Sequence, residues 1–254
     1  MPPIVKLLRP HQYAKNLLVF AAPGAAGRLD EASVVGWSLL AFVLFCAASS
    51  AGYVVNDMLD AEADRLHPVK QHRPIASGAV SQRQASIALA ALGVGAIGLA
   101  TLLGASFVAV LVGYAAVSMS YSIVFKRIPW LELLFVSAGF VLRAIGGGAA
   151  TDTPLSWWFL LVVSAGALLM ILGKRIGELV ALGAESASRK VLSGYRLEHL
   201  RGLTAVASAL AVGGYGAWAA AEAEDQVADS KAALHVRRIN MVCSAARALT
   251  IIRE

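Results

Sequence analysis

The segment Gly52 to Arg65 closes an apolar run with four oxygen-bearing side chains, Asn56, Asp57, Asp60 and Asp64. Asn56, Asp60 and Asp64 recur every four residues, and Asp57 and Asp64 lie seven apart, so a helix would stack all four on one face over two turns. Carboxylates stacked in this way repel one another unless a cation sits among them. Mg2+ prefers oxygen ligands and keeps contacts to substrate phosphates. The face therefore reads as a dock for Mg2+ and a pyrophosphate, with Asp57, Asp60 and Asp64 as the expected catalytic carboxylates and Asn56 as a further metal ligand. The blander alternative is a solvated helix end. That suits a lone pair of acids better than this set, which follows directly on an apolar span where ionisable groups are expensive.

Basic residues follow at once: Arg65, His67, Lys70, His72 and Arg73, ahead of Pro74-Ile75-Ala76-Ser77-Gly78. Cations beside a metal site hold the remaining phosphate oxygens, and Arg does so bidentately. Lys15, Lys126, Lys174 and Arg175 are further candidates for phosphate contacts. The bias of membrane proteins toward basic cytoplasmic loops would explain any one of these charges singly. Arg143 stands apart, well inside an apolar span with no acid at helical spacing within it. It reads equally as a substrate contact and as a structural Arg bonded to carbonyls near Gly146-Gly147-Gly148. Those glycines read as helix-packing positions, since a phosphate-cradling loop would follow a strand and none is in view.

The elements that must position these residues are helices in a bilayer. The chain has 254 residues, 58% of them hydrophobic and only 15% charged, against about 25% charged in a soluble domain. Apolar runs at 12–28, 34–55, 85–103, 105–124, 131–150, 155–173 and 201–221 predict an all-α, polytopic transmembrane bundle with about seven spans. The transmembrane domain is expected over 1–221, with a polar tail over 222–254. The net charge of +6 falls in short loops between spans, which favours a membrane surface over nucleic acid. Cys46 and Cys243 show no metal-like or disulfide-like spacing. The N-terminus, with Lys6, Arg9 and Lys15 before an apolar stretch, resembles a signal peptide. A retained helix suits the charge pattern better, because Lys and Arg then alternate between rich and poor loops along the whole chain. That alternation predicts a cytoplasmic N-terminus and a cytoplasmic site in a plasma (inner) membrane.

The motif Asn56-Asp57-x-x-Asp60-x-x-x-Asp64 resembles the first aspartate motif of the UbiA-type intramembrane prenyltransferases. Four further stretches are similar to one branch, the decaprenyl-phosphate phosphoribosyltransferases: Leu8 to Asn16, His67 to Ala76, Gly139 to Ile145 and Gly173 to Leu179. The resemblance covers about residues 5–220. It implies the UbiA-like bundle of nine helices and a pentosyltransferase. The reaction it implies moves 5-phosphoribose from phosphoribosyl pyrophosphate to a polyprenyl phosphate, with Mg2+ as cofactor and pyrophosphate as the other product. It places substrate contacts at Lys15, Asn16, Lys70, Arg73, Tyr121, Lys126, Arg143, Lys174, Arg175 and Glu178, and it places the product in arabinan synthesis for a cell wall. A homo-oligomer is left open.

The chain departs from the aromatic-acceptor members in two ways. Where they carry a second Asp-rich motif, this chain has Lys174 and Arg175 followed by the single acid Glu178, which suits a phosphate-bearing acceptor. Their Tyr-x-x-x-Lys spacing here reads Tyr121-x-x-x-x-Lys126. A third difference is the polar tail beginning Glu222-Ala223-Glu224-Asp225, where the family has its last two helices. The alternatives weighed are an aromatic prenyltransferase of a quinone or haem pathway, a transporter or channel, and a truncated copy without catalysis.

Overall fold

The computed structural model describes residues 1–182, 192 and 194–220. The expected tail at 222–254 lies outside the described residues. Within them the chain is helical: α1 (Pro3–Leu8), α2 (Ala21–Ala25), α3 (Ala32–Leu59), α4 (Ala61–Arg65), α5 (Gln82–Ala100), α6 (Ala105–Ile123), α7 (Leu131–Ala150), α8 (Trp157–Leu182) and α9 (Leu197–Ala220). Six of these, α3 and α5 to α9, are long and apolar enough to cross a membrane. They match six of the seven expected spans. The helix α3 runs for 28 residues, about 42 Å, and so overshoots a hydrocarbon core of about 30 Å. Its last turns carry the acidic motif out of the apolar layer.

The centre of the bundle is α7, the most buried of the six spans; α5 and α9 are the least buried among the described residues. Small residues let neighbours approach α7 closely. A Cβ on Gly146 would meet the Phe45 ring of α3 at 2.5 Å, and one on Gly147 would run into the backbone carbonyl of Val19. The three glycines are therefore packing positions, as expected. Phe45 in turn meets Phe107 and Tyr114 of α6 edge-on, at ring separations of 5.9 and 5.2 Å. Gly104, at φ 88°, makes the left-handed turn that joins the α5 segment to α6.

The segment expected as a first span, 12–28, takes a different form. Pro10–Phe20 winds as a 3₁₀ helix and is followed only by the short α2. Three residues per turn place Tyr13, Asn16 and Val19 on one stripe, and Gln12 and Lys15 on the next. The first stripe packs against α3 and α7, where Tyr13 bonds Ser50 at 2.9 Å and Val19 seats on Gly147. The sequence period alone does not distinguish this winding from an ordinary helix. What fixes it is the set of partners lined up along that stripe.

Candidate active site

The cavity of interest opens at the end of the bundle where α3 and α6 finish and α7 begins, and it holds about 810 Å3. The acidic motif forms one wall. Asn56 and Asp60 close α3, Asp60 caps the helix break, and α4 carries Asp64. Asn56, Asp60 and Asp64 line the cavity, as their spacing of four predicts. Asp57 does not line it, which corrects the expectation that all four share a face. It lies about 100° round the helix from Asn56, on an edge covered by Arg9. There it receives Arg9 Nη2 at 2.6 Å and Arg73 Nη1 at 3.3 Å. Arg9 reaches it from a left-handed residue, φ 54°, that ends α1 and turns the chain into the 3₁₀ segment.

Two of the expected phosphate ligands sit on the acids themselves. Arg73 Nη1 also bonds Asp64 Oδ2 at 2.6 Å. The loop holding Arg73 is anchored by Ile75 and Val80, which are buried with Leu7, Val54 and Ala85. Lys126 Nζ lies 2.8 and 2.9 Å from the two Asp60 oxygens and 3.1 Å from Asn56 Oδ1. Three oxygens thus converge on one ammonium. Among the described residues no group of three His, Cys, Asp or Glu side chains is disposed to hold a metal. The convergence on Lys126 is the observation that bears on Mg2+: the donors are all oxygen, as that ion requires, and they already surround a positive point. The donor set fits a divalent cation once Lys126 withdraws.

The opposite wall is one face of α7, where Glu132, Phe135, Val136, Gly139, Phe140 and Arg143 follow helical spacing into the cavity. Arg143 lies at the inner end, about 16 Å along the helix from Glu132. Its Nε donates to Asn16 Oδ1 at 2.6 Å, its Nη1 to the Gly139 carbonyl at 2.6 Å and its Nη2 to Tyr114 Oη at 2.7 Å. The carbonyl it uses is that of Gly139, one turn toward the helix start, and not one near Gly146–Gly148. Asn16 is fully buried in this network, donating to Cys46 Sγ at 3.1 Å, and does not line the cavity. Its expected role as a substrate contact is therefore replaced by one of holding Arg143. No ion pair is formed by Arg143 among the described residues.

On α8, Lys174 and Arg175 both line the cavity, but in different ways. Lys174 is exposed. Arg175 is 1% exposed; its Nη1 bonds Glu178 Oε2 at 2.5 Å and its Nη2 lies 3.8 Å from Glu132 Oε1. Glu178 does not reach the cavity and serves as the counter-ion of Arg175. Tyr121, also on the wall, directs its hydroxyl at Glu132 Oε1, 3.4 Å away. Lys15 and Lys70 complete the lining as expected.

Sequence reasoning passed over Glu132, Tyr195, Tyr114 and Arg9. Glu132 carried a usable signal, an acid at the head of an apolar span. Tyr195 donates to Glu132 Oε2 at 3.3 Å, and its hydroxyl accepts from the Trp130 N–H at 3.3 Å. Burial, with the Glu132 charge adding to it, pushes the Tyr195 phenol up to about 12, so it stays a donor across the physiological range. Among the described residues, the lining carries eight Lys and Arg side chains against the three acids Asp60, Asp64 and Glu132. Such a surplus of cations attracts ligands bearing several negative charges.

A helical bundle of six apolar spans with an aspartate-bearing helix end over a basic cavity defines an intramembrane transferase of the UbiA type. Residues 17–173 match the model of the UbiA prenyltransferase family, and the chain belongs to that family. It is 41% identical over 221 residues to a decaprenyl-phosphate phosphoribosyltransferase of Mycolicibacterium smegmatis, covering 85% of this chain and 70% of that protein. A second protein of that name, from Mycobacterium tuberculosis, shows the same 41% identity over 85% of this chain and 73% of its own length. Among solved structures, a UbiA homolog from Archaeoglobus fulgidus bound to DMAPP and Mg2+ superposes with a TM-score of 0.69. It is 19% identical and matched over 84% of this chain and 76% of its own. That likeness shows the fold.

Proposed function

We propose that this chain transfers 5-phosphoribose from phosphoribosyl pyrophosphate to a polyprenyl phosphate. In the transfer, the bond from ribose C1 to the pyrophosphate oxygen breaks. A new bond joins C1 to an oxygen of the acceptor phosphate, and pyrophosphate leaves. The observation that carries this reading is the charge balance of the cavity, eight bases to three acids among the described residues. Donor and acceptor together bring a pyrophosphate, a 5-phosphate and a lipid phosphate. A neutral aromatic acceptor would make no use of this surplus of positive charge. The identity to two decaprenyl-phosphate phosphoribosyltransferases supports the same choice.

In this reading Asn56, Asp60 and Asp64 hold Mg2+, which when bound neutralises charge on the pyrophosphate. Arg9 and Arg73 keep Asp57 and Asp64 in place. Lys126 and Lys70 stand where they meet the leaving phosphates, and Lys15, Lys174, Arg175 and Arg143 supply the positive field for the other two. The acceptor is already an anion, so its attack needs no strong general base. The site faces the cytoplasm, and the polyprenyl tail reaches it from the bilayer between helices.

The test uses membranes containing the full chain, labelled phosphoribosyl pyrophosphate, a polyprenyl phosphate and Mg2+. Label is expected in the lipid extract with wild type. Asp60→Ala should lower it by about a hundredfold or more, as losing a charge-stabilising group does. Chelation should abolish it. Wild-type membranes that label no lipid, or an Asp60→Ala variant as active as wild type, would sink the proposal.

A further inference from the structure

Among the described residues, Glu132 is the one acid on the cavity wall that lies outside the aspartate motif. It is 2% exposed, at the first turn of α7. The simplest account makes it a first-turn acid that neutralises the buried Arg175. That account is weak on two counts. Arg175 already has a carboxylate in Glu178, at 2.5 Å against 3.8 Å to Glu132. In addition, Glu132 is held by two phenols, Tyr121 on Oε1 and Tyr195 on Oε2. A carboxylate gripped at both oxygens has its orientation set, which a counter-ion does not need.

We propose that Glu132 is a specificity-determining residue that accepts hydrogen bonds from the ribose hydroxyls of the donor. The inference rests on the reading under Proposed function and adds which part of the donor this acid recognises. A carboxylate is the acceptor that suits a sugar diol, since each hydroxyl can donate to it. Phosphates would be repelled by it, so among the parts of phosphoribosyl pyrophosphate only the sugar suits its position. The neighbouring wall is apolar, Phe135 and Val136, and matches the carbon face of a furanose ring.

The same residue would reject a prenyl diphosphate. That donor shares the pyrophosphate but has no hydroxyl. Its hydrocarbon, placed against Glu132, would offer that carboxylate no hydroxyl in return. Sites built to bond a hydroxyl discriminate against the analogue lacking it by up to about 10⁴–10⁵. Glu132 thus separates two donors that the aspartate motif alone treats alike.

The test measures binding of three probes, pyrophosphate, phosphoribosyl pyrophosphate and geranyl diphosphate, to the full chain in detergent with Mg2+ by calorimetry. Wild type is compared with Glu132→Gln and Glu132→Asp; the second keeps the charge near Arg175 and guards against misfolding. Phosphoribosyl pyrophosphate should bind wild type more tightly than pyrophosphate. Both variants should bind it about ten- to hundredfold more weakly, with pyrophosphate affinity unchanged. Glu132→Gln should bind geranyl diphosphate more tightly than wild type does. Equal weakening of phosphoribosyl pyrophosphate and pyrophosphate, or no change in either, would overturn the role given to Glu132 while leaving the proposed reaction standing. A wild type that binds phosphoribosyl pyrophosphate no better than pyrophosphate would instead overturn the proposed reaction, and this role with it.

Discussion

Lys126 and Arg143 are both cations, but they solve opposite problems. Lys126 meets three oxygens of Asn56 and Asp60 within 3.1 Å, so it neutralises an acidic site at the membrane edge. In the proposed reaction it must give that place to Mg2+ and move to the pyrophosphate. Replacing it with Gln removes a competitor for the metal and a ligand for the phosphate together. The expected outcome is opposed shifts: Mn2+, used as a spectroscopic substitute, binds about tenfold more tightly by electron paramagnetic resonance, while pyrophosphate binds more weakly. If both affinities fall, Lys126 is not a placeholder. Arg143 instead has three neutral acceptors on three different segments, namely Asn16, Gly139 and Tyr114. Only a guanidinium presents donors in several fixed directions. Arg143→Lys should therefore destabilise the protein nearly as much as Arg143→Ala, by about 2–4 kcal/mol, the range for breaking a buried charged network. Thermal unfolding of the purified protein checks this, and a Lys variant with wild-type stability would contradict it.

Among the elements, the 3₁₀ stretch Pro10–Phe20 and α7 depend on each other. Val19 seats its carbonyl where Gly147 lacks a side chain, and Asn16, one turn earlier, holds Arg143. A methyl at Gly147 pushes on a backbone that cannot retreat without dragging Asn16 off Arg143. Gly147→Ala is expected to lower the melting temperature, with a cost of about 1–3 kcal/mol typical of overpacking. Gly95→Ala on the little-buried α5, where a Cβ meets nothing within 4 Å, should be neutral or stabilising. Equal effects would show that packing at Gly147 is looser than the geometry says. How much of this was readable from sequence follows from the range of the interactions. The six long spans were legible because hydrocarbon imposes a length and an apolar composition on each one locally. The face made by Asn56, Asp60 and Asp64 was legible because helical period is a local rule. The place of Asp57 was not, because it is decided by Arg9, 48 residues away. The 3₁₀ winding was hidden for the same reason: its partners lie on α3 and α7. Glu132 was overlooked because its partners, Tyr121, Tyr195 and Arg175, converge only when α6, α7, α8 and the segment before α9 are assembled.

At the scale of the whole molecule, the two ends of the bundle differ in charge and in aromatic content. Among the described residues, the end holding the cavity gathers Lys6, Arg9, Arg65, Lys70, Arg73 and Lys126, whereas the loops at the other end contribute only Arg28. Arg28 is engaged there: its guanidinium bonds Glu31 at 2.8 Å and the Thr151 carbonyl at 3.0 Å, tying the loop before α3 to the one after α7. That second end also carries Trp37 near the start of α3, Trp157 and Trp158 at the start of α8, and the paired rings of Tyr215 and Trp218 near the end of α9. Trp and Tyr settle at the headgroup level, so these rings mark where that leaflet ends. Basic loops stay in the cytoplasm because translocating them is disfavoured. On this rule the cavity end is proposed to face the cytoplasm, where soluble phosphoribosyl pyrophosphate would be drawn on. Single cysteines placed at exposed Gln71 and exposed Asp30 test this in intact cells. The first should react with a membrane-permeant thiol reagent only, and the second with an impermeant reagent as well. The reverse pattern would put the cavity outside the cell, cut it off from a cytoplasmic donor and require that the proposed donor be abandoned.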